Sequence, residues 1–168
     1  MASERTTTET FSSHDERLHI REFVETDRDT LREIYLSSRR STFTWLAANL
    51  FQFDDFDRQT SGELILVATL GEQTIGFSAS WVPERFIHHL YLKNGWTGHG
   101  YGRALLDATV ERIGRPARLK CLSMNRHALK FYRREGWIES GRGVSGSGNY
   151  LEMTLPSPTE VSRDRVPR

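Results

Sequence analysis

The sequence has a single cysteine, Cys121, so no disulfide can close within the chain, and no Cys and His residues fall at zinc-ligand spacing. The fold must be held by its core alone, and no metal is expected. A lone thiol also points to a reducing cytoplasm as the compartment. Long apolar runs are missing too, and the Ser-, Thr- and Glu-rich stretch Met1 to Arg17 lacks the apolar centre of a signal peptide. A membrane is therefore not an expected partner. Neither sign of charge dominates: 23 Lys plus Arg stand against 22 Asp plus Glu, which gives no broad basic field for nucleic acid. Arg39-Arg40 and Arg133-Arg134 read as solvated helix faces.

What is present suffices for one domain. A chain of 168 residues can bury roughly two-thirds of its unfolded surface. Residues 1–16 and 157–168 are polar, the second segment holding Pro158 just after Pro156, and both read as flexible tails around a folded unit at 17–156. Leu18 to Val24 alternates as a strand, and Thr26 or Asp27 can cap a helix running to about Arg39. Phe43 to Phe53 reads as a second short helix with an irregular acidic exit at Asp54, Asp55 and Asp57. Leu64 to Leu70 and Thr74 to Val82 form a hairpin about Gly71-Glu72-Gln73, broken by Pro83-Glu84. Phe86 to Leu92, Tyr101 to Ile113 and Ala117 to Ser123 then give strand, helix and strand, an order that implies a right-handed crossover and a parallel pair. Asn125 to Glu135 is a short helix closed by Gly136, and two last strands, Trp137 to Glu139 and Tyr150 to Leu155, flank a loop read as flexible, Gly141 to Gly148.

The junction between strand and helix at Thr97-Gly98-His99-Gly100-Tyr101-Gly102-Arg103 carries the strongest chemical signal. Three glycines at alternate positions allow successive backbone N–H groups to turn towards one anion, and the helix that follows adds its unpaired amides and positive dipole end. A plain glycine-rich turn is the competing explanation. Other phosphate loops fit worse: Arg103-Ala104 supplies no Lys-Ser/Thr ending, and the even spacing of Gly98, Gly100 and Gly102 is not that of a dinucleotide fingerprint. Asn125 and Tyr132, seven residues apart, share one helix face and can meet one ligand. Alternatively, Asn125 is only an N-cap and Tyr132 only a half-buried core aromatic.

Together the loop and the run Asn125, Ala128, Phe131-Tyr132, Gly136-Trp137 make residues 18–155 resemble the Gcn5-related N-acetyltransferases. Thr97 stands where that family usually has Arg or Gln. The resemblance implies an α/β fold with a mixed sheet of six or seven strands, flanking helices, and a splayed notch between the fourth and fifth strands. It implies acetyl-CoA as cosubstrate, the main chain of Leu90, Tyr91 and Leu92 lying along the pantetheine arm. Thr97, Gly98, His99, Gly100, Tyr101, Gly102 and Arg103 would hold the pyrophosphate, and Asn125 the pantetheine side. The implied activity is acetyl transfer to a primary amine of a small molecule or peptide, by direct attack in a ternary complex. A non-catalytic acyl-CoA-binding module of the same fold is the alternative. Family members often pair through late strands or outer helices, so a homodimer is compatible with the resemblance.

Amine attack on a thioester needs a proton acceptor for the ammonium and a donor for the leaving thiolate. The resemblance puts Tyr132 in the donor role, a phenol being able to protonate a thiolate. His88 matches a strand histidine linked to proton removal in some members, and an imidazole titrates near neutrality. Its competing role is a hydrogen bond across the sheet, and Glu84 is the reserve base. Strand alternation places His88 and His89 on opposite faces. Asp54, Asp55 and Asp57 are either a wall that attracts cationic amines or, preferably, a plain hydrophilic loop. Phe43, Trp45, Phe51, Phe53, Trp81 and Phe86 are either an acceptor pocket or core.

Overall fold

The computed structural model describes residues 17–158; of the tails expected at 1–16 and 157–168, all but Ser157 and Pro158 lie outside the described residues. Seven strands, β1 (Leu18–Glu22), β2 (Leu64–Leu70), β3 (Gln73–Trp81), β4 (Phe86–Leu92), β5 (Ala117–Leu122), β6 (Ile138–Ser145) and β7 (Gly148–Leu155), form one sheet in the order β1-β2-β3-β4-β5-β7-β6. Four helices flank it: α1 (Arg28–Thr42), α2 (Asp55–Gln59), α3 (Tyr101–Ile113) and α4 (Arg126–Arg134). All neighbouring strands run antiparallel except β4 and β5, which α3 links by the expected crossover. No described helix is long and apolar enough to cross a membrane.

Both faces of the central strands are covered, so β2 reads as a nearly continuous apolar run and β3 is buried without interruption from Ile75 to Ser80. On one face Val67, Phe77 and Ala79 pack with Leu31, Ile34 and Tyr35 of α1 and Phe56 of α2. On the other, Leu66, Ala68 and Ile75 meet Leu105 of α3. A third cluster joins Leu106 and Val110 of α3 to Leu119, Leu129, Trp137 and Met153. That cluster fixes β5 and α4, the two elements that bound the site.

Several local expectations are corrected. Asp27 does not cap α1; its carboxylate turns back to accept the Val24 N–H at 2.9 Å and both Arg21 Nη groups at 2.7 and 2.8 Å. Phe43 to Phe53 is not a helix beyond one 3-10 turn at Ala48–Leu50, and the helix α2 falls where an irregular acidic exit was expected. The acids themselves explain this: Asp55 accepts the Gln52 N–H at 2.9 Å, and Asp55 and Asp57 occupy a first helical turn, where negative charge is favoured. Gly141 to Gly148 is not a flexible loop, because β6 and β7 pair down to Ser145 opposite Gly148. The glycines misled the sequence reading: a Cβ on Gly143 would collide with the Tyr150 ring across the ladder.

Candidate active site

The parallel pair β4/β5 holds for only two registers, Phe86 with Arg118 and Ile87 with Leu119. Beyond Ile87 the two strands part. On its other edge β4 stays paired with β3, Lys93 N–H donating to Ile75 O at 2.7 Å. Antiparallel bonding repeats every second residue, so Tyr91 bonds β3 while the amides of Leu90 and Leu92 point to the open edge. Of the three residues expected along the pantetheine arm, two therefore offer their main chain to the notch.

The split starts at a β-bulge. Ala79 pairs with His89 and Ser80 with Ile87, leaving His88 as the extra residue of β4. The bulge cancels strand alternation at this point, so the expected opposition of the two histidines fails: both rings border one cleft, 6.2 Å apart. His88 Nδ1 bonds the buried carboxylate of Glu63, a very short contact, while its other ring nitrogen has no partner among the described residues. Burial pushes the Glu63 carboxyl above its ordinary range, against the pull of His88. Its second oxygen is buried without a hydrogen bond. His89 packs edge-on to Tyr35 at 5.1 Å, and burial lowers its pKa to about 4, so it is a neutral ring near pH 7.

Across the notch, Asn125 precedes α4 and its Oδ1 accepts the Ala128 N–H at 3.2 Å, the N-cap role considered above. Its amide nitrogen stays available to a ligand. Two turns on, Tyr132 packs edge-on to Trp137 at 5.8 Å. Burial, with Cys121 and Tyr91 adding to it, pushes the Tyr132 phenol above its ordinary range, and Cys121 is likewise raised to about 12 by burial. The phenol is thus fully protonated at neutral pH. His88, Leu90, Tyr91, Asn125 and Tyr132 all line one cleft of about 330 Å³.

The glycine loop lies apart from that lining, at the start of α3. Gly98 (φ 81°) and Gly100 (φ 83°) occupy the left-handed region, which glycine adopts without cost. A Cβ at either would meet open space, so conformation and not crowding selects glycine there. Ala104 N–H bonds Gly100 O at 3.1 Å, whereas the amides of Gly98, Gly100, Gly102 and Arg103 have no acceptor among the described residues. The Arg103 side chain is engaged with Glu135 at 3.2 Å, and His99 Nδ1 bonds Thr97 O at 2.9 Å.

Other candidates take different places. Glu84 sits in the exposed turn before β4, 3.6 Å from Arg118, and does not border the cleft. The acidic wall is corrected: Asp54 pairs with Arg58, Asp55 with Arg39 and Arg58, and Asp57 with Arg28 and Arg32. Nor is the segment a plain hydrophilic loop, since Asp55 is buried. Phe43 and Phe51 border the cleft, with Trp45 edge-on to Phe43 at 5.5 Å. Phe53 and Trp81 are exposed, and the Phe86 ring lies tilted against His88 with centroids 4.7 Å apart. Sequence reading missed Glu63, Tyr35 and Arg39, and it considered His89 beside His88 as a base but placed it on the opposite face. Arg39 was assigned to a solvated face but is 8% exposed. No group of His, Cys, Asp and Glu among the described residues could hold a metal ion.

A mixed seven-stranded sheet that opens after two parallel registers, with a glycine turn feeding the crossover helix, is the acyl-CoA N-acyltransferase fold. Solved structures agree. A GCN5-related N-acetyltransferase from Rhodopseudomonas palustris superposes with a TM-score of 0.70 at 18% identity, covering 83% of this chain and 95% of that one. The PaiA N-acetyltransferase from Thermoplasma acidophilum, solved in complex with coenzyme A, gives 0.68 at 20% identity over 82% of this chain and 99% of that one. The ribosomal-protein-S18-alanine N-acetyltransferase from Escherichia coli gives 0.66 at 14% identity, over 90% and 100%. Residues 61–139 match the family model of the acetyltransferase (GNAT) domain. The chain has the fold of the Gcn5-related N-acetyltransferases. No curated protein matches its sequence.

Proposed function

We propose that the protein is an acetyl-CoA-dependent N-acetyltransferase that acylates a primary amine by direct attack in a ternary complex. One observation carries this reading: a carboxylate-held imidazole and a buried phenol border the same cleft at the opening between β4 and β5. A module that only bound acyl-CoA would need neither. The residues also fit the cosubstrate. The unpaired amides of the Gly98 to Arg103 turn suit a diphosphate, and the open edge at Leu90 and Leu92, where among the described residues only Leu92 O is already engaged, by Ser38 Oγ at 3.1 Å, suits an arm that carries amides.

Acetyl-CoA supplies an acyl group activated as a thioester. Everything else is done by this chain. The free nitrogen of His88 takes a proton from the incoming ammonium, while Glu63 holds the Nδ1–H and offsets the charge of the imidazolium. An amide N–H pointing to the open edge, from Leu90 or Leu92, is placed to stabilise oxyanion charge. Tyr132 donates its proton to the departing sulfur, its raised pKa keeping that proton in place until a thiolate forms, and the second proton lost by the attacking nitrogen as the amide forms restores the phenol. The balance is one amide formed, one thiol released and one proton returned to solvent through His88.

A thiol-release assay with acetyl-CoA against a broad panel of primary amines tests the reading. Amine-dependent release is expected. Tight binding of acetyl-CoA with no release on any amine would leave the acyl-CoA-binding module instead.

A further inference from the structure

The acceptor side of the cleft is walled by Tyr35, Phe43 and Phe51, with one charged group among them, Arg39. Its guanidinium lies between two rings, 4.3 Å from the centroid of Tyr35 and 4.5 Å from that of Phe51. Nη1 donates to Asp55 Oδ2 at 2.9 Å. That bond uses one of the five N–H donors an arginine carries, and no other protein acceptor faces them among the described residues. Asp55 in turn is satisfied by Gln52 N–H and Arg58 besides Arg39. None of those remaining donors is among the fully buried atoms left without a partner, so they open onto the cleft, where a ligand or water completes them.

Asp55 lies behind Arg39 and does not line the cleft, so the charge carried by the lining itself has one sign. None of the described residues lining the cleft is acidic, and two, Arg39 and Lys120, are cationic. Lys120 stands 4.8 Å over the Tyr150 ring and 3.9 Å from Glu152, towards the β5 side. Glu63 reaches the cleft only through His88. Such a lining repels a second positive charge on the acceptor and welcomes a negative one.

We infer that the acceptor is an amino acid with an apolar or aromatic side chain, whose carboxylate pairs with the free edge of Arg39 while the aromatic wall takes the side chain. This rests on the acetyltransferase reading of the same cleft. The planar fork is the reason for choosing a carboxylate: Asp55 occupies Nη1, and the Nε and Nη2 edge presents two parallel N–H donors that match two carboxylate oxygens. Stacked between rings, the fork cannot swing away, so little freedom is lost on binding.

The test compares matched pairs that differ only in the carboxylate: phenylalanine with phenethylamine, and leucine with 3-methylbutylamine. Thiol release should favour the amino acid by about tenfold or more in kcat/KM, since a site built to pair a polar group discriminates against the analogue that lacks it. Calorimetry on the CoA-saturated protein provides the second readout, N-acetylphenylalanine binding at least about tenfold tighter than N-phenethylacetamide. In Arg39→Lys, which keeps the charge and loses the fork, both preferences should collapse towards unity. Melting and CoA titration of that variant establish that it is folded. Equal or better use of the decarboxylated amines by the natural protein, with equal binding of the two amides, overturns the inference while leaving the acetyltransferase reading intact. Carboxylate-dependent binding without thiol release on any amine does the reverse.

Discussion

In the proposed reading, the two sides of the site recognise their ligands by different means. On the cofactor side the candidate binding groups are main chain: the open edge of β4 after Ile87 and, beyond the cleft lining, the turn amides of Gly98 to Arg103. On the acceptor side they are side chains drawn from separate elements, Tyr35 and Arg39 from α1, Phe51 and Asp55 from the segment around α2, Glu63 from just before β2 and His88 from β4. Main-chain recognition requires only a conformation, which a few glycines secure. Side-chain recognition requires a tertiary meeting, and each member can be changed alone. A fold built this way can hold one cosubstrate while its acceptor site varies.

Substitutions that exploit this contrast should differ in size. The largest effect is expected for Gly100→Asp, which forces a Cβ onto φ 83° and sets a negative charge where a diphosphate would sit. Coenzyme A affinity by calorimetry should fall more than about a hundredfold with little change in fold, and wild-type affinity would reject the main-chain cradle. Next, Tyr132→Phe removes one hydroxyl from a packed ring, so turnover should drop by about a hundredfold with coenzyme A affinity nearly kept. Unaltered turnover would leave Tyr132 as packing only.

Glu63→Gln should have a smaller and two-sided effect. Turnover is expected to fall by about tenfold or more as the imidazole loses its orienting partner. Stability should move the other way. The folded Glu63 carboxyl sits above its unfolded value, so its contribution favours the fold when protonated and is lost as pH rises through the folded pKa. At pH 7.5 the variant should therefore melt higher than the natural protein by roughly one to a few degrees, an advantage that shrinks towards pH 4. A lower melting point at pH 7.5 would show that the ion pair with His88 outweighs the burial of the carboxylate.

The same contrast governs how much could be read before the structure. The sheet, the crossover helix and the notch were legible, because glycine spacing, helix periodicity and the run from Asn125 to Trp137 are local signals. Asn125 and Tyr132, expected to share a face, do border one cleft. The bulge at His88 was not legible: it arises from the register of β3 against β4, and it overturned the assignment of His88 and His89 to opposite faces. Arg39 and Asp55 each read as solvated, since only their meeting across α1 and α2 makes burial tolerable. Glu63 gave no signal at all, lying 25 residues from the histidine it holds.

A crystal structure with coenzyme A bound addresses the central claim most directly. The diphosphate should rest on the amides of Gly98 to Arg103, with the sulfur within about 4 Å of the Tyr132 hydroxyl and on the His88 side of the notch. A cofactor seated outside the opening between β4 and β5, or a sulfur turned away from both side chains, would contradict it.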